Sequence, residues 1–110
     1  MMNLQLPSAV KGYFEISNGD DISRIATCFC ADARVLDENR MHRGIEAIES
    51  WQLAARQAFT YRVEPLEVND ADGKLLVTAL VRGDFPGSPL TLKHVFGLRD
   101  GRISTLEIAP

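Results

Sequence analysis

Gly44-Ile45-Glu46-Ala47-Ile48-Glu49-Ser50-Trp51-Gln52-Leu53-Ala54-Ala55-Arg56-Gln57-Ala58-Phe59-Thr60-Tyr61-Arg62-Val63-Glu64-Pro65-Leu66-Glu67-Val68 is the stretch in which the chain changes its period. Up to Phe59 the apolar positions recur at three and four residues. Ile45, Ile48, Gln52, Ala55 and Phe59 form one stripe, widened by Ala47, Trp51, Ala54 and Ala58, which predicts a long helix with a broad face to bury. From Tyr61 the period is two, the mark of a strand whose side chains alternate between faces. Apolar parity slips at Pro65, from Tyr61 and Val63 to Leu66 and Val68, and a bulge or an edge position accounts for such a slip.

Toward the C-terminus the two-residue period persists. The reading places a turn over Asn69-Asp70-Ala71-Asp72-Gly73, a strand from Lys74 to Phe85 and a turn at Pro86-Gly87-Ser88-Pro89. The next strand, Leu90 to Leu98, alternates Leu90, Leu92, His94, Phe96, Leu98, and Asp100-Gly101 makes a tight hairpin before a last strand, Ile103 to Ile108. Four strands in succession predict an antiparallel meander.

Toward the N-terminus the signals are helical. Pro7 and Ser8 suit a first turn, and Val10, Tyr13, Phe14 and Ser17 follow at helical spacing until Asn18-Gly19. Asp20 and Asp21 cap a second, short helix whose inner face is Ile22, Ile25, Ala26 and Phe29, ending at Ala31-Asp32. Ala33-Arg34-Val35-Leu36-Asp37 reads as a strand, and Glu38-Asn39-Arg40-Met41-His42-Arg43 as a polar loop leading to Gly44. The sum is an α+β, cone-shaped fold. Three N-terminal helices pack on one face of a strongly curved mixed or antiparallel sheet, leaving a hollow between the two.

Bulk properties bound what the hollow can do. With 110 residues, 45% hydrophobic and 25% charged, the chain has room for one domain, residues 1–110, and one core. A net charge of −3, with scattered basic residues, argues against nucleic acid as a partner. No apolar run is long enough to span a bilayer, and Met1 to Pro7 lack the charged and apolar regions of a secretion signal, so no membrane partner is expected and a cytoplasmic location is. Cys28 and Cys30 are too close for an easy bridge. They also lack a second pair to complete a zinc site, so no metal and no cofactor are expected.

On the stretches Phe29 to Asp37, Arg43 to Ile48 and His94 to Ile103, the chain resembles the nuclear transport factor 2-like superfamily, in particular its SnoaL-like and ketosteroid isomerase-like branch. Phe29-Cys30-Ala31-Asp32-Ala33-Arg34-Val35-Leu36-Asp37 looks like the signature F-x-x-D-A-x-V-x-D. Arg43-Gly44-Ile45-Glu46-Ala47-Ile48 looks like the helix start R-G-x-x-A-I, and His94 to Ile103 like the hairpin F-x-F-x-D-G-K-I. The resemblance implies that Asp37 stands where the isomerase keeps its general base and Tyr13 where it keeps an oxyanion donor. The isomerase's third group, a protonated aspartate, falls at His94, or at Lys93 if the register slips by one.

Those positions define the candidate chemistry. A carboxylate in an apolar cone suits abstraction of a proton beside a carbonyl, with Glu38 expected to face the other way by strand alternation. A buried phenol and an imidazole suit donation to the oxygen that becomes negative. Phe29, Trp51, Phe96 and Leu98 are the expected apolar wall, and His42 is read as solvated. The reading is a domain that binds a small apolar molecule. Such a domain acts as a cofactor-independent isomerase or cyclase on a small apolar carbonyl compound, or as a non-catalytic binding or dimerisation module. Leu76 and Leu80 face opposite to Val77, Ala79 and Val81, so the second sheet face is expected to be covered by a homodimer partner.

Overall fold

A computed structural model describes residues 5–110, so the reading of Met1 to Leu4 lies outside the described residues. Helix α1 spans Ser8–Ser17, α2 spans Ile25–Cys28 behind a single 3-10 turn at Ile22–Arg24, and α3 spans Gly44–Ala58. The strands are β1 Phe29–Asp37, β2 Arg40–Arg43, β3 Tyr61–Ala71, β4 Lys74–Gly83, β5 Leu90–Arg99 and β6 Arg102–Ala109. They form one sheet in the order β2-β1-β6-β5-β4-β3, mixed in direction, curled but not closed.

The meander β3 to β6 is antiparallel throughout, and β1 joins it parallel to β6. The change of period after Phe59 is therefore a change from the α3 face to the β3 edge strand. The slip at Pro65 is a bulge between Pro65 and Glu67 on that edge. Asn18 stops α1 and also holds this edge: its side-chain amide donates to the Val63 carbonyl at 2.9 Å and accepts from the Val63 N–H at 2.7 Å, as a neighbouring strand would.

Four expectations need correction. The second helix ends at Cys28, because Phe29 already pairs with Ile103 as the first residue of β1; Ala26 on its supposed inner face is exposed. The polar loop after Asp37 is a hairpin. Glu38 and Asn39 both adopt left-handed backbone conformations, φ 52° and 63°, which turn the chain in two residues and let Arg40–Arg43 pair back on β1. The turn after β3 is also shorter than expected, since pairing continues to Ala71 and Lys74 around Asp72-Gly73. Finally, the alternation in β5 stops at a bulge between Gly97 and Leu98, which turns Leu98 out to solvent at 39% exposure. A side chain at Gly97 would strike Thr105 Oγ1 at 2.4 Å, so the strand crosses β6 closely where the bulge begins.

The core lies between the helices and the concave face. Phe29, Phe96, Ile25, Ile48, Ile103 and Leu106 are almost wholly buried there. On the opposite face Leu36, Leu76, Leu80 and Val95 remain half-buried and Met41 is exposed. Among the described residues no helix is long and apolar enough to cross a membrane.

Candidate functional site

At one end of the cone the packing does not close. A cleft of about 420 Å³ opens between α1, α3 and the sheet, lined by Tyr13, Asp37, Trp51, Gln52 and His94 among a mostly apolar wall. That volume lies in the range of small-molecule sites. Strand register explains the convergence. Asp37 is paired with Ile108, and Ile108 with His94, so the carboxylate and the imidazole sit in one row across β1, β6 and β5, roughly 10 Å apart at the backbone. Tyr13 reaches the same space from α1. Of the two β5 residues that a one-step slip would exchange, His94 lies on the cleft side and Lys93 is exposed.

Asp37 closes β1, where the hairpin fixes its backbone against Arg40. It accepts a hydrogen bond on Oδ2 from Trp51 Nε1 at 3.0 Å, which leaves its second oxygen for an occupant of the cleft. The Trp51 indole lies parallel to the Tyr13 ring, 6.3 Å between centroids and 8° between planes, and His42 packs 5.8 Å from its centre. One α3 side chain thus orients the carboxylate and braces the phenol. His42 is half-buried against it rather than solvated.

Burial sets the protonation of the other two groups. Desolvation pushes the Tyr13 phenol well above its ordinary value, more than its hydrogen bond with Ser17 draws it back. Desolvation likewise lowers His94 to about 4, against a smaller opposing effect of the Leu92 and Val77 backbone. At neutral pH both are uncharged and able to donate one hydrogen bond. His94 is 3% exposed, its Nδ1 has no partner, and its ring lies 6.0 Å from that of Tyr13.

The remaining predicted residues divide between the cleft and its surroundings. Trp51 lines the cleft, but Phe29 and Phe96 lie beneath it as fully buried core, and Leu98 is outside it because of the β5 bulge. Glu38 does not face away. The left-handed turn breaks strand alternation and brings it to the cleft rim, exposed, beside Asp37. Gln52 and Ser17, which helical spacing reads as packing positions, are polar members of the wall, and a glutamine inside an apolar helical stripe is the signal of one. Phe59 and Phe85, 6.0 Å apart edge to face, stand on the wall. A second hollow of about 630 Å³ follows the β3 edge. There the charged groups of Arg82 and Glu64 pair with each other at 3.3 Å and stay exposed, so the reactive groups are those of the cleft. Among the described residues no group of three His, Cys, Asp or Glu side chains is arranged to hold a metal ion.

The SnoaL-like domain model matches residues 10–106, nearly the whole chain. The chain belongs to the SnoaL-like family. With it comes the nuclear transport factor 2-like superfamily that the sequence resembles. A proposed polyketide cyclase from Sinorhizobium meliloti is similar over 94% of this chain and 95% of its own, with 44% identity and a TM-score of 0.89. A protein with a ketosteroid isomerase-like fold from Catenulispora acidiphila, solved with trimethylamine, shares 19% identity over 96% and 87% of the two chains at a TM-score of 0.79. A proposed isomerase of the SnoaL-like family from Agrobacterium tumefaciens shares 20% identity over 92% of each chain at 0.76. At those two identities the likeness speaks for the fold alone. Among curated proteins nothing matches.

Proposed function

We propose that this SnoaL-like protein binds a small, largely apolar carbonyl compound and moves a proton from the carbon beside the carbonyl, as a cofactor-independent isomerase or cyclase. The observation that carries the reading is that an acid, a phenol and a neutral imidazole from three separate elements line one apolar cleft. The similar Sinorhizobium meliloti protein, itself a proposed polyketide cyclase, supports the same class of reaction.

In this mechanism the free oxygen of Asp37 takes the α-proton, and the C–H electron pair becomes the enolate. Tyr13 and His94 donate to the enolate oxygen. Neither donor carries charge to be desolvated, and both lie in a low-dielectric wall where a directed hydrogen bond is strong. Trp51 keeps the carboxylate aimed through the hydrogen bond to Oδ2. The proton then returns to a different carbon, which is isomerisation, or the enolate carbon attacks a second carbonyl whose oxygen takes the proton held on Asp37, which is ring closure.

Proton exchange tests the first step without knowledge of the product. With 1-tetralone as the probe in deuterated buffer, the wild type accelerates loss of the α-proton signal and Asp37→Asn lowers that rate by about 100-fold or more, the typical weight of a general base. Equal rates in the two proteins would remove the mechanism.

A further inference from the structure

Gln52 is only 2% exposed and sits on the cleft wall, in the middle of an otherwise apolar helical stripe. Its Nε2 donates to Ser17 Oγ at 3.1 Å, and its Oε1, buried, accepts nothing. Buried amide oxygens are nearly always paired, so an orphan calls for an explanation. Packing alone gives none, because a leucine or methionine would fill the stripe without stranding a polar atom. Gln52 lines the cleft rather than the filled core, which makes an occupant of the cleft an available partner.

We infer that Gln52 reads a hydroxyl group on the ligand, so that the substrate class is a carbonyl compound that also bears a hydroxyl. The inference rests on the reading of the cleft given above. A hydroxyl fits better than an ammonium group, since the neutral amide of Gln52 and the Ser17 hydroxyl bonded to it do not balance a cation taken out of water. A hydroxyl also both gives and takes a hydrogen bond, so the pairing holds whichever way the amide is turned about Ser17. Placement is consistent with separate duties. Trp51 and Gln52 are successive on α3, roughly 100° apart around its axis, so one holds Asp37 while the other meets the α1 side of the cleft.

Calorimetric titration with 1-tetralone and with its 5-, 6- and 7-hydroxy derivatives provides the test. At least one hydroxy derivative binds the wild type roughly tenfold more tightly than the parent ketone, the usual worth of satisfying a buried acceptor. In Gln52→Met that ratio collapses toward one. If the variant fails to fold, the wild type alone still decides: the Gln52 side-chain amide resonances in a nitrogen-15 NMR spectrum shift with the preferred hydroxy derivative and not with 1-tetralone. Equal binding of all four ketones with an unmoved Gln52 amide, or a ratio that persists in Gln52→Met, overturns the role of Gln52 while the cleft reading stands. Binding of none of them overturns both.

Discussion

The two ends of the cone are built from the same strands and obey opposite rules. On β5, Phe96 sits at the closed end with Phe29, Ile103 and Leu106 around it, all fully buried and apolar. Two residues earlier, on the same face of the same strand, His94 is as deeply buried at the open end and leaves a ring nitrogen unpaired. Gln52 does the same from α3. A fold that tolerates stranded polar atoms at one end must be stabilised by the other. Stability and function are therefore separated along the cone axis rather than mixed through one core.

The largest expected effect is at the closed end. Phe96→Ala removes a fully buried ring that meets Tyr13 and Phe14 edge-on, at 5.6 and 5.9 Å between centroids. A loss of about 3–5 kcal/mol in denaturant unfolding is expected. A loss below about 1 kcal/mol would mean that the closed end is no better packed than the cleft, and the contrast would fail.

The open end is exposed by pH instead. His94 holds its proton less tightly in the folded protein, at about 4, than in the unfolded chain, near 6.5. Above pH 6.5 it is neutral in both states and costs nothing. As pH falls from there toward 4 the unfolded chain gains a proton that the folded one refuses, so stability declines, by about 3 kcal/mol once pH 4 is reached. The exposed carboxylates of Asp20, Asp21 and Asp32, held below their ordinary value by hydrogen bonds, contribute stability that is lost as pH falls below about 5, through the ordinary carboxylate value and beyond it. Unfolding measured between pH 7 and 5 thus isolates the imidazole. His94→Leu should flatten the slope in that window, and an unchanged slope would locate the acid sensitivity elsewhere.

How far the sequence foretells this division depends on whether the deciding force is local. The α3 stripe, the switch of period after Phe59 and the Asp100-Gly101 hairpin are written in adjacent residues, and they are where expected. The parallel pairing of β1 with β6 joins segments at opposite ends of the chain, and no local pattern encodes it. The Asp37–Arg40 hairpin is hidden for a different reason: Glu38 and Asn39 take the left-handed conformation without a glycine to announce it. That turn also brings Glu38 to the rim, against the alternation that predicts it facing away. For the site, Asp37, Tyr13 and His94 are marked out by the resemblance to the family, and all three line the cleft. Gln52 is concealed within a stripe that reads as packing.

Leu98 is the sharpest small test, because sequence and structure assign it to opposite environments. The alternation from Leu90 predicts that it faces inward beyond Phe96, where a lysine would strand a charge at a cost of several kcal/mol. The bulge after Gly97 instead turns it outward, and the close approach of Gly97 to Thr105 fixes where the bulge must fall, since no side chain fits there. Leu98→Lys should accordingly change stability by no more than about 0.5 kcal/mol, the range of an exposed substitution. Gly97→Ala on the same strand should cost more, although it adds a single methyl group. Were the order reversed, the bulge would be misplaced. β5 would then run straight through the closed end, and the register that aligns Asp37, Ile108 and His94 across the cleft would have to be redrawn.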